Sequence, residues 1–130
     1  TYMEVVAYAR VQHIESEVVA KLRPDATMYD ALAAAFPAGT LSGAPKVRAL
    51  EVISELERSP RRVYGGCAGY FSLNGTADTA IAIRMIQFDD ACRVRAGAGI
   101  VADSVPSAEF EETERKMSAV LSALNVGDII

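Results

Sequence analysis

Residues that carry much of protein chemistry are scarce in this chain. Histidine occurs once, as His13, and cysteine twice, as Cys67 and Cys92. Neither cysteine lies in a C-x-x-C or near a pair of histidines, so no zinc or dithiol redox motif is present. The two read as buried free thiols in a reducing cytoplasm. Cations are outnumbered, 13 Lys and Arg against 17 Asp and Glu, and no basic stretch extends beyond Arg61–Arg62. Nucleic acid is therefore not an expected partner. No apolar run approaches the ~20 residues of a membrane span. The opening TYMEVVAY has neither the basic nor the long apolar part of a signal peptide. No initiator Met and no cap or linker precede the first apolar run, which reads as a piece of a longer protein. Repeats and low-complexity segments are absent.

What remains is a globular composition. The 130 residues are 51% apolar and 23% charged, enough for one domain with a core. Residues 3–9 are apolar, compatible with strand or helix end, and 11–19 (VQHIESEVV) alternate, which predicts a strand. TMYDALAAAF (27–36) predicts a helix started by Asp25 or Thr27, with Met28, Leu32, Ala35 and Phe36 spaced along it. A second helix is predicted in PKVRALEVISELER, with Pro45 in its first turn and a buried stripe of Val47, Leu50, Ile53 and Leu56.

Three strand-like runs follow: VYGGCAGYFSL, TAIAIRMIQF and CRVRAGAGIVA. Asn74-Gly75 is a hairpin signal between the first two, and Asp89-Asp90 separates the second from the third, so a meander is expected. A last helix is predicted over about 106–124, capped by Asp103 or Ser104, with Phe110, Met117, Val120, Leu121 and Leu124 as its apolar face. The tail GDII reads as frayed. Helices with a mainly antiparallel sheet give the α+β class.

Several features carry chemistry. Glu109, Glu112 and Lys116 are spaced i, i+3, i+7 and fall within about 60° of one another on a helix. Two carboxylates a turn apart suit a hard cation such as Mg²⁺, and the lysine suits an anion. The same spacing also makes an ordinary Glu–Lys pair on a solvated face. GAGIVA (97–102) fits G-x-G-x-x-A after a strand. Too little chain follows for a dinucleotide fold, and a turn with amides facing an anion fits the same glycines.

FPAGTLSGAPK (36–46) lacks the Gly-Lys-Ser/Thr of a P-loop. It leads into a helix N-terminus with free amides and the hydroxyls of Thr40 and Ser42, or it simply connects two helices. His13 shares a strand face with Glu15 and Glu17, as a general acid/base or a structural histidine. Arg84 interrupts AIAIRMI, where a buried guanidinium needs an acid or an anionic ligand. Tyr64 precedes Gly65-Gly66, as a ligand contact or a core residue.

In order, H13-I-x-S16-x-V18, FPAGTLSGAPKVRALEVISELE, VYGGCAGY, D78-x-AIAIR84, AGAGIVADS and E109-x-x-E112-T-x-x-K116 resemble the chorismate-binding enzymes, most closely their anthranilate synthase component I branch. The resemblance runs from about residue 3 to 124. It implies a two-layer antiparallel β-sandwich flanked by helices, of which residues 1–130 are the C-terminal portion of the chorismate-binding domain, with the upstream half absent. It implies chorismate as substrate, Mg²⁺ on Glu109 and Glu112, and Lys116 near the substrate. Arg84, Tyr64 and the amides of Gly97-Ala98-Gly99 match residues that bind the enolpyruvyl carboxylate. Thr40 matches a residue beside the ring carboxylate, and His13 the histidine linked to loss of the C4 hydroxyl.

The implied reaction forms anthranilate and pyruvate in the cytoplasm, in tryptophan biosynthesis, with ammonia from a glutamine amidotransferase partner. AGT at 38–40 with AGAGIVADS favours this branch over aminodeoxychorismate synthesis. An enzyme stopping at 2-amino-2-deoxyisochorismate, or a non-catalytic half-domain, would share these motifs. Alone, such a half is expected to be inactive. Its bare sheet face and edges would drive dimerisation, swapping or aggregation.

Overall fold

The computed structural model describes residues 1–7 and 12–122. Tyr8, Ala9, Val11 and Leu124, with the GDII tail, lie outside the described residues. The elements in chain order are β1 (Glu4–Ala7), β2 (Gln12–Glu15), α1 (Met28–Ala35), α2 (Gly39–Ser42), α3 (Lys46–Leu56), β3 (Cys67–Phe71), β4 (Ala77–Ile81), β5 (Ile86–Phe88), β6 (Cys92–Val94) and α4 (Pro106–Leu121).

Local chemistry explains where these begin and stop. Of the two caps the sequence offers, Thr27 starts α1 through a capping box. Its Oγ1 accepts from the Asp30 N–H at 3.3 Å, and the Asp30 carboxylate accepts from the Thr27 N–H at 2.7 Å. Tyr29 then stacks on Phe71, ring centroids 4.8 Å apart, which leans α1 on β3. Pro45 is the N-cap of α3 and not in its first turn. Val105 precedes Pro106 as the N-cap of α4. Neither Asp103 nor Ser104 caps that helix. The Ser104 hydroxyl instead accepts from the Val101 N–H at 3.0 Å, closing the turn before it.

The strands form three antiparallel pairs: β1–β2, β3–β4 and β5–β6. Asn74-Gly75 makes the β3–β4 turn as expected. Gly75 sits at φ 88°, and the Asn74 side-chain carbonyl accepts from the Thr76 N–H at 3.1 Å. Gly69 faces Thr79 so closely that a Cβ there would lie 2.0 Å from the Asp78 carbonyl oxygen. Paired bonds from Gly65 N–H to Ala82 O and from Ala82 N–H to Gly66 O, both 2.9 Å, extend that ladder.

Two expectations are corrected here. The run TAIAIRMIQF is not one strand. It ends at Ile81, turns with Ile83 N–H on Ile81 O at 2.9 Å, and passes Arg84 at φ 50° before β5 begins. The meander is thereby cut in two. The α+β class with antiparallel pairing holds, while the hairpins remain separate two-stranded sheets among the described residues.

The predicted stripes are also largely bare. Val47, Leu56 and Phe110 are 73%, 74% and 62% exposed, and among the described hydrophobic residues only Ala82 and Val120 are buried. Leu32, Phe36, Val52, Ile53 and Met117 are half-buried. The accessible surface is 10397 Å², about half as much again as the roughly 6,700 Å² expected of a folded monomer of 13.9 kDa. Among the described residues α3 is contacted chiefly by α2 and α4 by β6, which leaves most of their apolar residues wet. The free thiols differ from the buried pair expected, since Cys67 is half-buried and Cys92 exposed.

Candidate functional site

The stretch FPAGTLSGAPK is more than a connector. Both of its X-Pro bonds are cis, and α2 lies between them. Ser42 is buried, its hydroxyl donating to the carbonyls of Gly43 at 3.2 Å and Ala38 at 3.4 Å. Gly43 adopts φ 93° and brings the backbone against Ala49 of α3, where a Cβ would meet the Ala49 methyl at 3.3 Å. The loop thus folds back on α3. Together they form one wall of a cleft of about 490 Å³.

Thr40 lines it, and so do Gly97, Ala98, Gly99 and Ile100. Tyr64 does not itself line the cleft, but its hydroxyl is so close to Gly97 that a Cβ there would approach it to 3.1 Å. The Lys116 ammonium donates to the Gly97 carbonyl at 2.9 Å and pairs with the Glu112 carboxylate one turn back. That hydrogen bond and charge hold the Glu112 carboxyl below its ordinary value. Loop, tyrosine, glycine turn and α4 pair therefore meet in one neighbourhood. Chemically it offers free backbone amides, a hydroxyl, a phenol, a lysine and carboxylates, a set suited to a small polyanion with a hard cation.

Two sequence-predicted residues are not part of it. His13 is exposed on β2 opposite Val6 and does not line the cleft. Arg84 is not a guanidinium buried in a strand. It is exposed at the β4–β5 turn and makes no hydrogen bond or ion pair among the described residues. Glu109 is half-buried on α4, a turn before Glu112. Among the described residues no three His, Cys, Asp or Glu side chains converge as a metal site. Two carboxylates still fit Mg²⁺, which usually takes one or two and fills the remaining positions with water and substrate oxygens.

Sequence reasoning missed the residues that tie the walls together. Arg61 donates through Nε to the Glu57 carboxylate at 2.9 Å and 3.1 Å, and through Nη1 to the Leu41 carbonyl at 2.9 Å. Its guanidinium carbon lies 5.7 Å from the Tyr64 ring centroid. Arg95 donates to the same Glu57 at 3.1 Å and to the Ser59 carbonyl at 3.3 Å. The bond from Arg61, then its charge and that of Arg95, hold the Glu57 carboxyl low against its partial burial. The available signal was the i, i+4 spacing of Glu57 and Arg61. Arg95 lies far along the chain and gives none.

The family model for chorismate binding enzymes matches residues 1–122. The chain belongs to that family. It is 64% identical over 126 residues to anthranilate synthase component 1 of Thermococcus kodakarensis, covering 96% of this chain and 29% of the relative. Against anthranilate synthase component 1 of Archaeoglobus fulgidus the identity is 59%, with 96% and 30% covered. The crystal structure of anthranilate synthase component I from Streptococcus pneumoniae superposes with a TM-score of 0.82 at 45% identity, over 92% of this chain and 28% of that one. The chain thus spans under a third of the length of these relatives.

Proposed function

We propose that this chain is the C-terminal part of the chorismate-binding domain of an anthranilate synthase component I, acting in tryptophan biosynthesis. The observation that carries the reading is that Thr40 and Gly97-Ala98-Gly99 line one cleft, with Tyr64 and the Glu112–Lys116 pair gathered beside it at Gly97. The identity to relatives of that name supports it. The remaining part of the domain completes a two-layer sandwich against the bare faces of α3, α4 and the hairpins. It also brings His13 and Arg84 to the substrate.

In this reading chorismate places its ring carboxylate near Thr40 and α4. Its enolpyruvyl carboxylate lies against Tyr64, Arg84 and the amides of Gly97-Ala98-Gly99. Glu109 and Glu112 would hold Mg²⁺, which when bound would neutralise the ring carboxylate and draw electrons from the ring as a Lewis acid. Lys116 leaves Glu112 and turns to the substrate anion. Ammonia from a glutamine amidotransferase partner forms a bond to C2 as the bond from C4 to its hydroxyl breaks. His13 gives that hydroxyl a proton, so it departs as water. Loss of the C2 proton with cleavage of the bond from ring C3 to the enolpyruvyl oxygen then leaves anthranilate, and the released enolpyruvate takes up a proton at its methylene carbon to become pyruvate. The reaction takes place in the cytoplasm.

The test mixes the chain with the upstream part of the Streptococcus pneumoniae relative, chorismate, Mg²⁺ and ammonium. Anthranilate fluorescence is expected from the mixture and not from this chain alone. Fluorescence that survives His13→Ala combined with Glu112→Gln removes the assigned roles. An amino product other than anthranilate moves the chain to the aminodeoxychorismate or 2-amino-2-deoxyisochorismate branch. No amino product at all leaves a non-catalytic half-domain.

A further inference from the structure

Arg61 reaches three parts of the cleft at once, and all three of its polar nitrogens are engaged by the protein. Nη1 holds the Leu41 carbonyl, next to Thr40 in α2. Nε and Nη2 hold Glu57, just beyond the C-terminus of α3. The guanidinium plane lies over the Tyr64 ring, whose hydroxyl reaches Gly97. Glu57 in turn accepts from Arg95, two residues before Gly97. Thr40, Tyr64 and the glycine turn come from segments far apart in sequence, and this one network spans them.

We propose that Arg61, oriented by Glu57, is a positioning residue that sets the spacing between the Thr40 loop and the Gly97 turn that both line the cleft, the latter through Tyr64 beside it. With each of its three nitrogens already bonded to Glu57 or to the Leu41 carbonyl, Arg61 acts through the groups it holds. A planar fork is required because three directions are served from one head group. An ammonium in its place can keep the charge but cannot hold Glu57 and the Leu41 carbonyl in the same geometry. The consequence for turnover rests on the function proposed above, whereas the consequence for loop geometry does not.

The experiment has two arms. In the first, amide spectra of the 130-residue chain are compared with those of Arg61→Lys and Arg61→Ala. The amides of Leu41, Ser42 and Gly97 are expected to shift together. Ethylguanidinium is expected to return them in Arg61→Ala, where ethylammonium does not. In the second, the mixture with the upstream part is assayed. A misplacement on the order of 1 Å costs about 100-fold, so Arg61→Lys is expected to lower kcat by about that factor and to move KM much less. Ethylguanidinium is expected to recover part of kcat in Arg61→Ala. Should Arg61→Ala not fold, Arg61→Lys and Glu57→Gln carry both arms.

Unmoved Leu41 and Gly97 amides in Arg61→Lys overturn the proposal. So does a kcat equal to that of the unsubstituted chain. A mixture that makes no anthranilate even with the unsubstituted chain overturns the function instead, and the amide arm still decides the positioning role.

Discussion

The cleft and the β1–β2 hairpin are held together in different ways. Around the cleft, contacts join segments distant in sequence: Arg61 to Leu41, Arg95 to Ser59 and Glu57, Lys116 to Gly97, and Gly65 to Ala82. In the hairpin, β1 and β2 pair with one another, and Val5 and Ile14 are each 65% exposed. One part of the site is therefore built by this chain's own long-range bonds. Among the described residues, the hairpin that carries His13 shows no comparable set of contacts with α1–α4 or β3–β6. In the function proposed above, half of the constellation is pre-organised while the rest waits, because pre-organisation follows local bracing and not membership of a site.

The largest effect expected concerns the bare surface. The excess area is larger than the 1,200–2,000 Å² or so that a standard interface buries. The chain is expected to self-associate at tens of micromolar by sedimentation, and a well-behaved monomer would break the contrast between a braced cleft and unbraced faces. Next comes Gly69→Ala. The added Cβ meets backbone at 2.0 Å and 2.6 Å, which cannot swing aside, so a loss of about 2–3 kcal/mol is expected from urea unfolding. Its control is Gly39→Ala, where nothing lies within 4 Å. A change within about 0.5 kcal/mol is expected there. Equal effects at the two glycines would remove the claim that the β3–β4 ladder is tightly closed.

Thr27→Ala removes one half of the capping box and is expected to cost about 1 kcal/mol, read as fraying of α1 with the cleft amides unchanged.

The smallest effect is a pH dependence. Glu57 and Glu112 titrate below the ordinary carboxyl value in the folded chain. As pH falls, the unfolded chain takes up protons first. The stabilisation is present above about 4.5 and fades as pH drops through the lower folded values. Both groups are partly exposed, so Glu57 contributes under about 1 kcal/mol. Urea midpoints are expected to be level from pH 8 to about 5.5 and to fall below 4.5, with a shallower fall in Glu57→Gln. A slope of the opposite sign would contradict the Arg61–Glu57 brace.

What was legible in the sequence divides along similar lines. The helices α1, α3 and α4 announce themselves because apolar spacing and prolines are local signals. The Asn74-Gly75 turn does so for the same reason. The β4–β5 break was hidden, since Ile83 and Arg84 carry no turn signature and a positive φ at arginine is uncommon. The four-residue α2 is too short to show a period. For the cleft, motif order brought Thr40, Tyr64, Gly97 and Lys116 to attention, whereas Glu57 and Arg95 meet only through folding. The α3 stripe expected to be buried is mostly bare, with Val47 and Leu56 73% and 74% exposed, because an apolar stripe says that a partner is needed and not whether this chain contains it.

Each of the six strands described is hydrogen-bonded on one side only, because every sheet is a pair. The chain's pairing valence is thus half used. Within a hairpin the alignment is already set, Val6 against His13 or Gly69 against Thr79. Between hairpins no ladder dictates which residue faces which. Whatever docks on those open sides inherits the choice of alignment, and a slip of a single residue would turn every side chain of the added strand to the opposite face. The accuracy of assembly is then a property of the meeting edges, written in the newcomer as much as in these residues.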